Sequence, residues 1–328
     1  MNKKAKVLTV ILAIVMIISL IGCSQEEVPS DTPIKIGIIQ YNAHGALDAA
    51  RMGFIDALKD NGYEDGGKIA IDYQNAQADA ANLSTIGDRF VSNKVDLVLA
   101  IATPAAQSIA GKTTEIPILG TAITDYVDAR LVDSNEVPGG NVSGTTDMNP
   151  IKEQIDLMLR LAPDTKTVGF LYTSNEDNSI FQIRHAKAAV EALGLSHVEV
   201  TVSNSNEVQQ ATQSIIDKVD AIYIPTDNIF ASAMPIVYGV TAESKTPVIC
   251  AETGMVLSGG LATLGINYYD LGYQTGLMAI RIIEGSGEPA SMAIEAASEF
   301  DYVINGTVAE EIGMDIPDDL KEYVVEAE

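Results

Sequence analysis

From Ile34 onward, short runs of apolar, β-branched residues alternate with longer stretches in which apolar residues recur every three to four positions. The short runs are typical of buried β-strands, and the longer stretches have the periodicity of amphipathic helices. Strands that alternate with helices indicate a parallel sheet with crossover helices. In the first part of the chain, the pattern predicts strands at residues 35–40, 69–74, 96–101, 117–120 and 141–145, and helices at 46–61, 80–93 and 104–112.

The second part of the chain repeats the pattern of the first. Four segments resemble four earlier ones, in the same order and at a nearly constant separation. The pairs are TVGFLY at 167–172 with KIGIIQ at 35–40, AVEALGL at 189–195 with ALKDNGY at 57–63, DAIYIPTD at 220–227 with DLVLAIAT at 96–103, and TPVICAE at 246–252 with IPILGTA at 116–122. A repeat of this length predicts an α/β fold with two similar lobes. Right-handed crossovers give each lobe a doubly wound parallel sheet, with a ligand cleft between the lobes.

The residues after 267 do not fit a third lobe. We expect a helix at 271–284 to return to the first lobe, and the last strand and helix to complete the second. The predicted first lobe comprises residues 34–147 and about 268–297, and the second comprises 148–267 and about 298–328. About three crossings would join the lobes, near Asp147, Asn267 and Ala297.

The N-terminal segment has the composition of a bacterial export signal. Three lysines within the first six residues precede an apolar run at 7–21, which is short for a transmembrane helix. The run leads into Leu-Ile-Gly-Cys, ending at Cys23, which resembles the bacterial lipobox, where the cysteine is lipidated and becomes the first mature residue. We predict a signal peptide at 1–22, a flexible tether at 23–33 and a lipid anchor on the outer face of the cytoplasmic membrane. An uncleaved N-terminal anchor is the alternative, and it also places the fold outside the cytoplasm.

Charge and cysteine content narrow the possible partners. The formal charge is −25 at pH 7, and the acidic residues are dispersed along the chain. Such a surface repels nucleic acid and acidic lipid, so we expect neither as a partner. With Cys23 lipidated, only Cys250 remains, so the mature chain has no pair for an internal disulfide. Cys250 lies in an apolar run that is typical of a buried, inert thiol.

The sequence lacks the common catalytic motifs. It has no HExxH zinc motif, no cluster of Cys and His, and no G-x-S-x-G nucleophile motif. GYEDGGK at 62–68 fits G-x-x-x-x-G-K, but Ile69 replaces the Ser or Thr of a phosphate loop. The segment also follows a helix and precedes a strand, the reverse of a phosphate loop's position. We therefore expect a protein that is not an enzyme and has no catalytic residue, metal or cofactor.

The residues just after each predicted strand form the candidate site, because open parallel sheets bind ligands beyond the carboxyl ends of their strands. A helix that starts at Thr103 favours an anion, whereas Asp227 and Glu252 of the other lobe favour a cation. Tyrosines would flank an aromatic or apolar side chain, so the set suits a zwitterionic amino acid. Each Ser, Thr, Asp or Asn after a strand is alternatively a helix cap, and Tyr268 is alternatively a hinge residue. The candidate ligand contacts are Gln40, Tyr41, Thr103, Thr124, Asp125, Tyr172, Ser174, Asn178, Ser179, Asp227, Asn228, Glu252 and Tyr268.

Four segments together resemble a known family. They are DLVLAIATPAAQ at 96–107, IPILGTAITD at 116–125, PGGNVSG at 138–144 and DAIYIPTDN at 220–228. They are similar to the substrate-binding lipoproteins of ABC importers, most of all to the branch assigned to tryptophan and tyrosine uptake, and the likeness covers essentially the whole mature chain.

The resemblance implies the type I periplasmic-binding-protein fold, ABC permease subunits as partners, and tyrosine or tryptophan as the ligand. We expect a monomer that closes its two lobes on a small molecule. The alternatives are a sensory receptor or adhesin on the same fold, or a binding protein for another amino acid, a nucleoside or a sugar.

Overall fold

The computed structural model describes residues 32–297 and 299–326. The predicted signal peptide, the predicted lipidation site Cys23 and most of the predicted tether lie outside the described residues. In the part of the chain that is described, none of the helices combines the length and the apolar character needed to cross a membrane.

Strands and helices alternate along the described chain, as the sequence pattern predicts. The chain begins with β1 (Ile34–Gln40), α1 (Gly45–Asp60), β2 (Ile69–Asn75), α2 (Ala80–Asn93), β3 (Leu97–Ile101), α3 (Thr103–Ala110), β4 (Ile118–Ile123) and β5 (Val142–Thr146). It continues with α4 (Ile151–Leu161), β6 (Thr167–Thr173), α5 (Asp177–Ala192), β7 (Ser196–Val202), α6 (Val208–Ile215), β8 (Ala221–Ile224), α7 (Asn228–Ser244), β9 (Val248–Cys250), α8 (Thr253–Leu257) and β10 (Ala262–Gly265). The last elements are α9 (Tyr268–Ile283), β11 (Glu295–Ala296), β12 (Asp301–Asn305), α10 (Gly306–Ile312) and β13 (Val324–Val325).

The first sheet has the strand order β2-β1-β3-β4-β5-β11, and all its neighbouring strands run parallel. β3 and β4 are buried along their whole length, as expected for parallel strands that helices cover on both faces. Phe54 of α1 and Phe90 of α2 belong to the core around them. The chain winds outward in both directions from β1 and β3, so a ligand is expected beyond the carboxyl ends of these two strands.

The second sheet has the order β7-β6-β8-β9-β10-β12-β13. Its first five strands follow the same relative order as those of the first sheet, as the repeat in the sequence predicts. β12 runs antiparallel to β10 and extends the sheet at its far edge. Cys250 of β9 is a buried free thiol in this sheet's core. The prediction of two similar, doubly wound α/β lobes is confirmed.

The chain passes three times between the sheets, after β5, β10 and β11. α9 follows the second crossing and packs along α1 of the first lobe. A Cβ atom at Gly272 of α9 would lie 1.9 Å from the carbonyl oxygen of Ala50, so only glycine fits at this contact. The membership of the strands in the two sheets supports the lobe boundaries given above, which remain a proposal.

β4 is longer than the sequence predicts, since the strand continues through Gly120 to Ile123. The pattern predicts the end of the strand at Gly120, but a Cβ atom there would lie 2.3 Å from the Ile123 side chain. The glycine therefore makes room for packing within the strand. The pairing with β5 shifts register between Gly120 and Ile123, and Ala122 in this irregular stretch has φ +56°. Ala102, at the end of neighbouring β3, has φ +81°. Non-glycine residues with positive φ are sparse and gather at binding sites.

Candidate ligand-binding cleft

A cavity of about 10 Å³ lies between the two lobes, at the carboxyl ends of the strands. The first lobe lines it with residues at the start of α1 and with Ala122. The second lobe lines it mainly with residues at the starts of α5, α7 and α8. Its volume is close to the space that one water molecule needs, so the lobes are closed on each other. The lining residues are His44, Ala46, Leu47, Ala122, Asp147, Asn178, Thr226, Asp227, Asn228, Ala231, Glu252 and Tyr268.

Hydrogen bonds cross the cleft beside this cavity. The Asn42 side chain donates to the Asn228 carbonyl oxygen at 3.3 Å and to the Ser232 hydroxyl at 3.2 Å. His44 Nε2 lies 3.2 Å from Asn228 Oδ1, while the His44 Nδ1 atom is buried without a partner among the described residues. The start of α1 is thus held against the start of α7.

Two further contacts between the lobes lie at more exposed positions. The Arg184 guanidinium on α5 forms an ion pair with Asp128 of the first lobe at 2.5 Å. Gln107 Nε2 on α3 donates to Asp177 at 2.8 Å. Both contacts join side chains that belong to different lobes, so they form only when the cleft is closed.

Asp227 is buried at the start of α7, which it caps. Its Oδ1 accepts from the N–H groups of Ile229 and Phe230 at 3.1 and 2.9 Å, and from the Thr173 hydroxyl at 2.7 Å. Its Oδ2 accepts from the Thr173 N–H at 2.6 Å and the Ser179 hydroxyl at 2.8 Å. Burial raises the pKa of Asp227, and these hydrogen bonds oppose the rise. Five donors use the acceptor capacity of this carboxylate, which therefore holds α7 to β6 and α5.

Glu176, just before α5, is a second buried carboxylate and was not among the candidates from the sequence. Its Oε2 accepts from the Asn228 side chain at 2.6 Å, and from the Asn228 N–H and the Asn178 side chain at 3.3 Å each. Its Oε1 has no donor among the described residues. Burial, followed by the negative charge of Asp227, raises the pKa of Glu176 to about 8.

Glu252 and Asp147 lie on the hinge side of the cleft. Glu252 accepts from two N–H groups in the first turn of α8, and burial raises the pKa of Glu252 to about 7. Asp147 accepts from the Thr124 hydroxyl at 2.9 Å and from the Tyr268 hydroxyl at 2.7 Å. Tyr268 therefore ties the second crossing to the first, and it also lines the cavity.

Thr124 and Tyr41 face the second lobe from the first. The Thr124 hydroxyl accepts from the Gln182 side chain at 2.9 Å and lies 3.4 Å from the Thr226 hydroxyl. Tyr41 is buried, and its pKa is raised by burial and by the negative charges of Glu176 and Asp227. The structure thus brings both residues to the closed interface, although neither lines the cavity itself.

Gln40, Thr103 and Asp125 lie near the same edge of the first sheet but away from the cavity lining. The Gln40 side chain donates to the Asn42 carbonyl oxygen at 2.7 Å and to Asp48 at 2.9 Å. Thr103 is buried at the start of α3, with its hydroxyl unpartnered among the described residues. Asp125 accepts from an N–H three residues later at 2.7 Å, as in a turn.

The remaining candidates divide between the cavity and the lobe interior. Asn178 and Asn228 line the cavity, and Asn178 Oδ1 is buried without a partner among the described residues. Ser179 donates to Asp227. Tyr172 donates to Glu199 on the edge strand β7 at 2.9 Å, and Ser174 donates to the carbonyl oxygen of Val202 on the same strand at 3.1 Å. The structure does not bring these last two to the cavity.

Sequence reasoning missed Glu176, His44 and Asp147 as lining or near-lining groups. Glu176 stands in a run of polar residues at 174–179, in which no period shows which side chain points inward. The sequence pattern predicts for Asp147 only a position at a crossing between the lobes. Asp147 directly follows β5, and the other candidate residues likewise follow the predicted strands. This position could therefore have identified Asp147 as a candidate.

Comparisons with known proteins identify the family. The sequence profile of the ABC transporter substrate binding protein family matches residues 35–327. The chain is 42% identical over 316 residues to the tyrosine-binding protein of Clostridioides difficile strain R20291, covering 93% of this chain and 91% of that protein.

Two solved structures are similar over 90% of the chain. One is an ABC domain from Streptococcus pneumonia in complex with L-Trp, with 38% identity, a TM-score of 0.86 and 100% of that chain covered. The other is a substrate binding protein with adhesive properties from Clostridium difficile in its ligand-free, open form, with 43% identity, a TM-score of 0.69 and 99% of that chain covered. Both the fold and the match along the whole sequence agree with the predicted type I periplasmic-binding-protein fold. The chain therefore belongs to the family of ABC transporter substrate-binding proteins.

Proposed function

We propose that this protein captures an aromatic amino acid, tyrosine or tryptophan, outside the cytoplasm and delivers it to an ABC importer. The observation that carries the proposal is the cavity that both lobes line with buried polar groups, some of which have no partner within the described part of the chain. A relative with 42% identity is named a tyrosine-binding protein, and a structure with 38% identity is in complex with L-Trp. Both support an aromatic amino acid as the ligand.

The start of α1 supports binding of the ligand's carboxylate. His44, at the N-cap position of this 16-residue helix, makes no side-chain hydrogen bond to the helix. The N–H groups of its first turn are therefore available, and Ala46 and Leu47 line the cavity. Free N–H groups and the positive end of the helix dipole favour an anion. The start of α3 at Thr103, which the sequence suggested for this role, remains the alternative.

Binding would proceed by opening and closing of the lobes. A cavity of about 10 Å³ does not hold an aromatic side chain, so the contacts across the cleft must separate before ligand enters. A ligand that touches both lobes then stabilises the closed form by its differential affinity for that form. An ABC permease that recognises the closed form would receive only loaded protein.

Thermal unfolding of purified residues 24–328 tests the ligand class. Tyrosine or tryptophan at about 100 times the dissociation constant should stabilise the native state by about 2.7 kcal/mol. A glucose and an adenosine sample at the same concentration serve as controls. Stabilisation by the sugar or the nucleoside, with none by any amino acid, would refute the proposal.

The lipid anchor at Cys23 and the importer context are parts of the same proposal. Cys23→Ala should abolish incorporation of a radiolabelled fatty acid in cells, while the folded domain is still made. Equal labelling of the variant and the wild type would rule out lipidation at Cys23. Loss of tyrosine or tryptophan uptake on deletion of the gene would support the importer role, and unchanged uptake would argue for a receptor or adhesin.

A further inference from the structure

The four carboxylates that the structure buries within its described residues differ in their free acceptor capacity. They are Asp147, Glu176, Asp227 and Glu252. Asp147 and Glu252 each have both oxygens occupied by a donor, and Asp227 has five donors. Among the described residues, Glu176 is the one whose second oxygen, Oε1, has none.

A second acceptor lies beside Glu176. The Asn178 side chain contacts Glu176 Oε2 through its Nδ2 at 3.3 Å, and its Oδ1 is buried without a partner among the described residues. Asn178 lines the cavity. Two unpartnered oxygens at one place suit a group with several N–H donors, and a primary ammonium has three.

The charges around Glu176 favour a cation. The titratable groups that face it are Asp227 at the start of α7 and Tyr41 after β1, while His44 reaches it only through Asn228. None of the groups that shift the pKa of Glu176 is cationic. An ionised carboxylate that is buried without a counter-charge is strongly unfavourable. Closure of the cleft around ionised Glu176 therefore requires a proton or a ligand cation.

We propose that Glu176, with Asn178, binds the ammonium group of the amino acid, and that closure of the lobes around Glu176 requires either this ammonium or a proton on the Glu176 carboxylate. This inference rests on the proposed function for the identity of the ligand. It gives Asp227, which the sequence suggested for the ammonium, the separate role of holding α7 in place.

Calorimetric titration of Glu176→Gln with L-tyrosine and L-tryptophan tests the ammonium contact. The dissociation constant should rise about 30-fold or more, since an interfacial charge pair is broken. The analogue 3-(4-hydroxyphenyl)propionate lacks the ammonium, so it should bind the variant more tightly than it binds the wild type. Glu243→Gln removes the same charge from an exposed position on α7, and it should behave as wild type. Wild-type affinity of Glu176→Gln for tyrosine and tryptophan, or an unchanged preference for the analogue, would overturn the inference.

Small-angle scattering without any ligand tests the condition on closure separately. The wild type should have a larger radius of gyration at pH 8.5 than at pH 5.5, because only protonated Glu176 is readily buried. Glu176→Gln should show a smaller difference between the two pH values than the wild type, because Glu252, whose pKa burial raises to about 7, still titrates in the cleft, and Glu243→Gln should follow the wild type. A pH-independent radius in the wild type, or a pH response in Glu176→Gln equal to that of the wild type, would overturn the inference. The scattering experiment needs no ligand. It therefore tests the effect of Glu176 on closure even if no amino acid binds and the proposed function fails.

Discussion

Hydrogen-bond donors decide what each buried carboxylate of the cleft does. Asp227 accepts five hydrogen bonds from three elements, whereas one oxygen of Glu176 accepts none from the residues that the structure describes. A satisfied carboxylate stabilises the fold, because its removal leaves several buried donors unpaired. A carboxylate with a free oxygen stabilises the fold less and is available to a ligand. Two buried carboxylates of the same cleft, one aspartate and one glutamate, thus have different roles.

Asp227→Ala should lower the free energy of unfolding by about 2–4 kcal/mol, because it removes a helix cap and leaves the Thr173 N–H and other buried donors unpaired. Asp227→Asn should be intermediate, since it keeps one acceptor oxygen. Urea unfolding followed by circular dichroism measures both. If Asp227→Ala unfolds at the wild-type urea concentration but no longer binds tyrosine, Asp227 is a ligand contact and its capping role is minor.

The raised pKa values of Glu176 and Glu252 make stability depend on pH. Burial raises these pKa values to about 8 and about 7 in the folded protein, above the usual value of about 4.3 for glutamate. The folded state therefore binds more protons than the unfolded state, and the free energy of unfolding should fall as pH rises from 7 to 8. Below this window, the lowered pKa of His44 has the opposite effect. Melting curves at these two pH values should show this fall in stability in the wild type and a smaller fall in Glu176→Gln. An equal fall in the two proteins would contradict the role given to Glu176.

At the scale of elements, the packing of α1 against α9 is set by close backbone approach. Gly272 admits no Cβ atom beside Ala50, so Gly272→Ala should force the helices apart and lower the free energy of unfolding by about 1–3 kcal/mol. Gly239→Ala is the matched control, since Gly239 lies exposed within α7 with no atom near its absent Cβ. This second change should stabilise the protein by about 0.5–1 kcal/mol, because alanine favours the helix. Chemical unfolding of both variants measures the contrast, and similar effects of the two changes would contradict the packing argument.

The elements were predictable from the sequence, whereas the roles of the residues between them were not. β3 and β4 are buried over their whole length and, apart from Thr121, contain no polar side chain, as is typical of central parallel strands. The repeat located their counterparts β8 and β9. Loops lack the regular spacing of apolar residues that shows which side of a strand or helix is buried. The polar run at 174–179 contains both an inward carboxylate, Glu176, and a serine that bonds to β7. Whether a buried carboxylate has all its acceptor positions occupied depends on hydrogen-bond donors that are distant in sequence, such as the Thr173 N–H that donates to Asp227. The local sequence pattern contains no information about such donors.

At the scale of the whole molecule, the two lobes stand in the closed arrangement. The TM-score is 0.86 with the structure in complex with L-Trp but 0.69 with the ligand-free, open structure, although the second relative is the more similar in sequence. The hydrogen bonds from Asn42 and the ion pair of Arg184 with Asp128 join residues that separate when the lobes open. Contacts of this kind add to the stability of the closed form without touching the ligand.

Arg184→Ala should therefore speed ligand release without slowing capture. The ion pair with Asp128 spans the lobes at 2.5 Å, and both side chains are partly exposed, so its contribution is about 0.2–1 kcal/mol, or up to about a fivefold change in the dissociation rate. The association rate should not fall, because the pair must break before the ligand enters and forms again only as the lobes close. Stopped-flow measurement with tyrosine or tryptophan, at low and high salt, gives both rates, and the difference between variant and wild type should shrink at high salt. Lys152→Ala is the control, because Lys152 pairs with Asp156 at 2.6 Å within α4 and spans nothing. If Arg184→Ala and Lys152→Ala release the ligand at the same rate, the ion pair has no part in holding the lobes closed, and the buried hydrogen bonds across the cleft, such as those of Asn42 with α7, hold them instead.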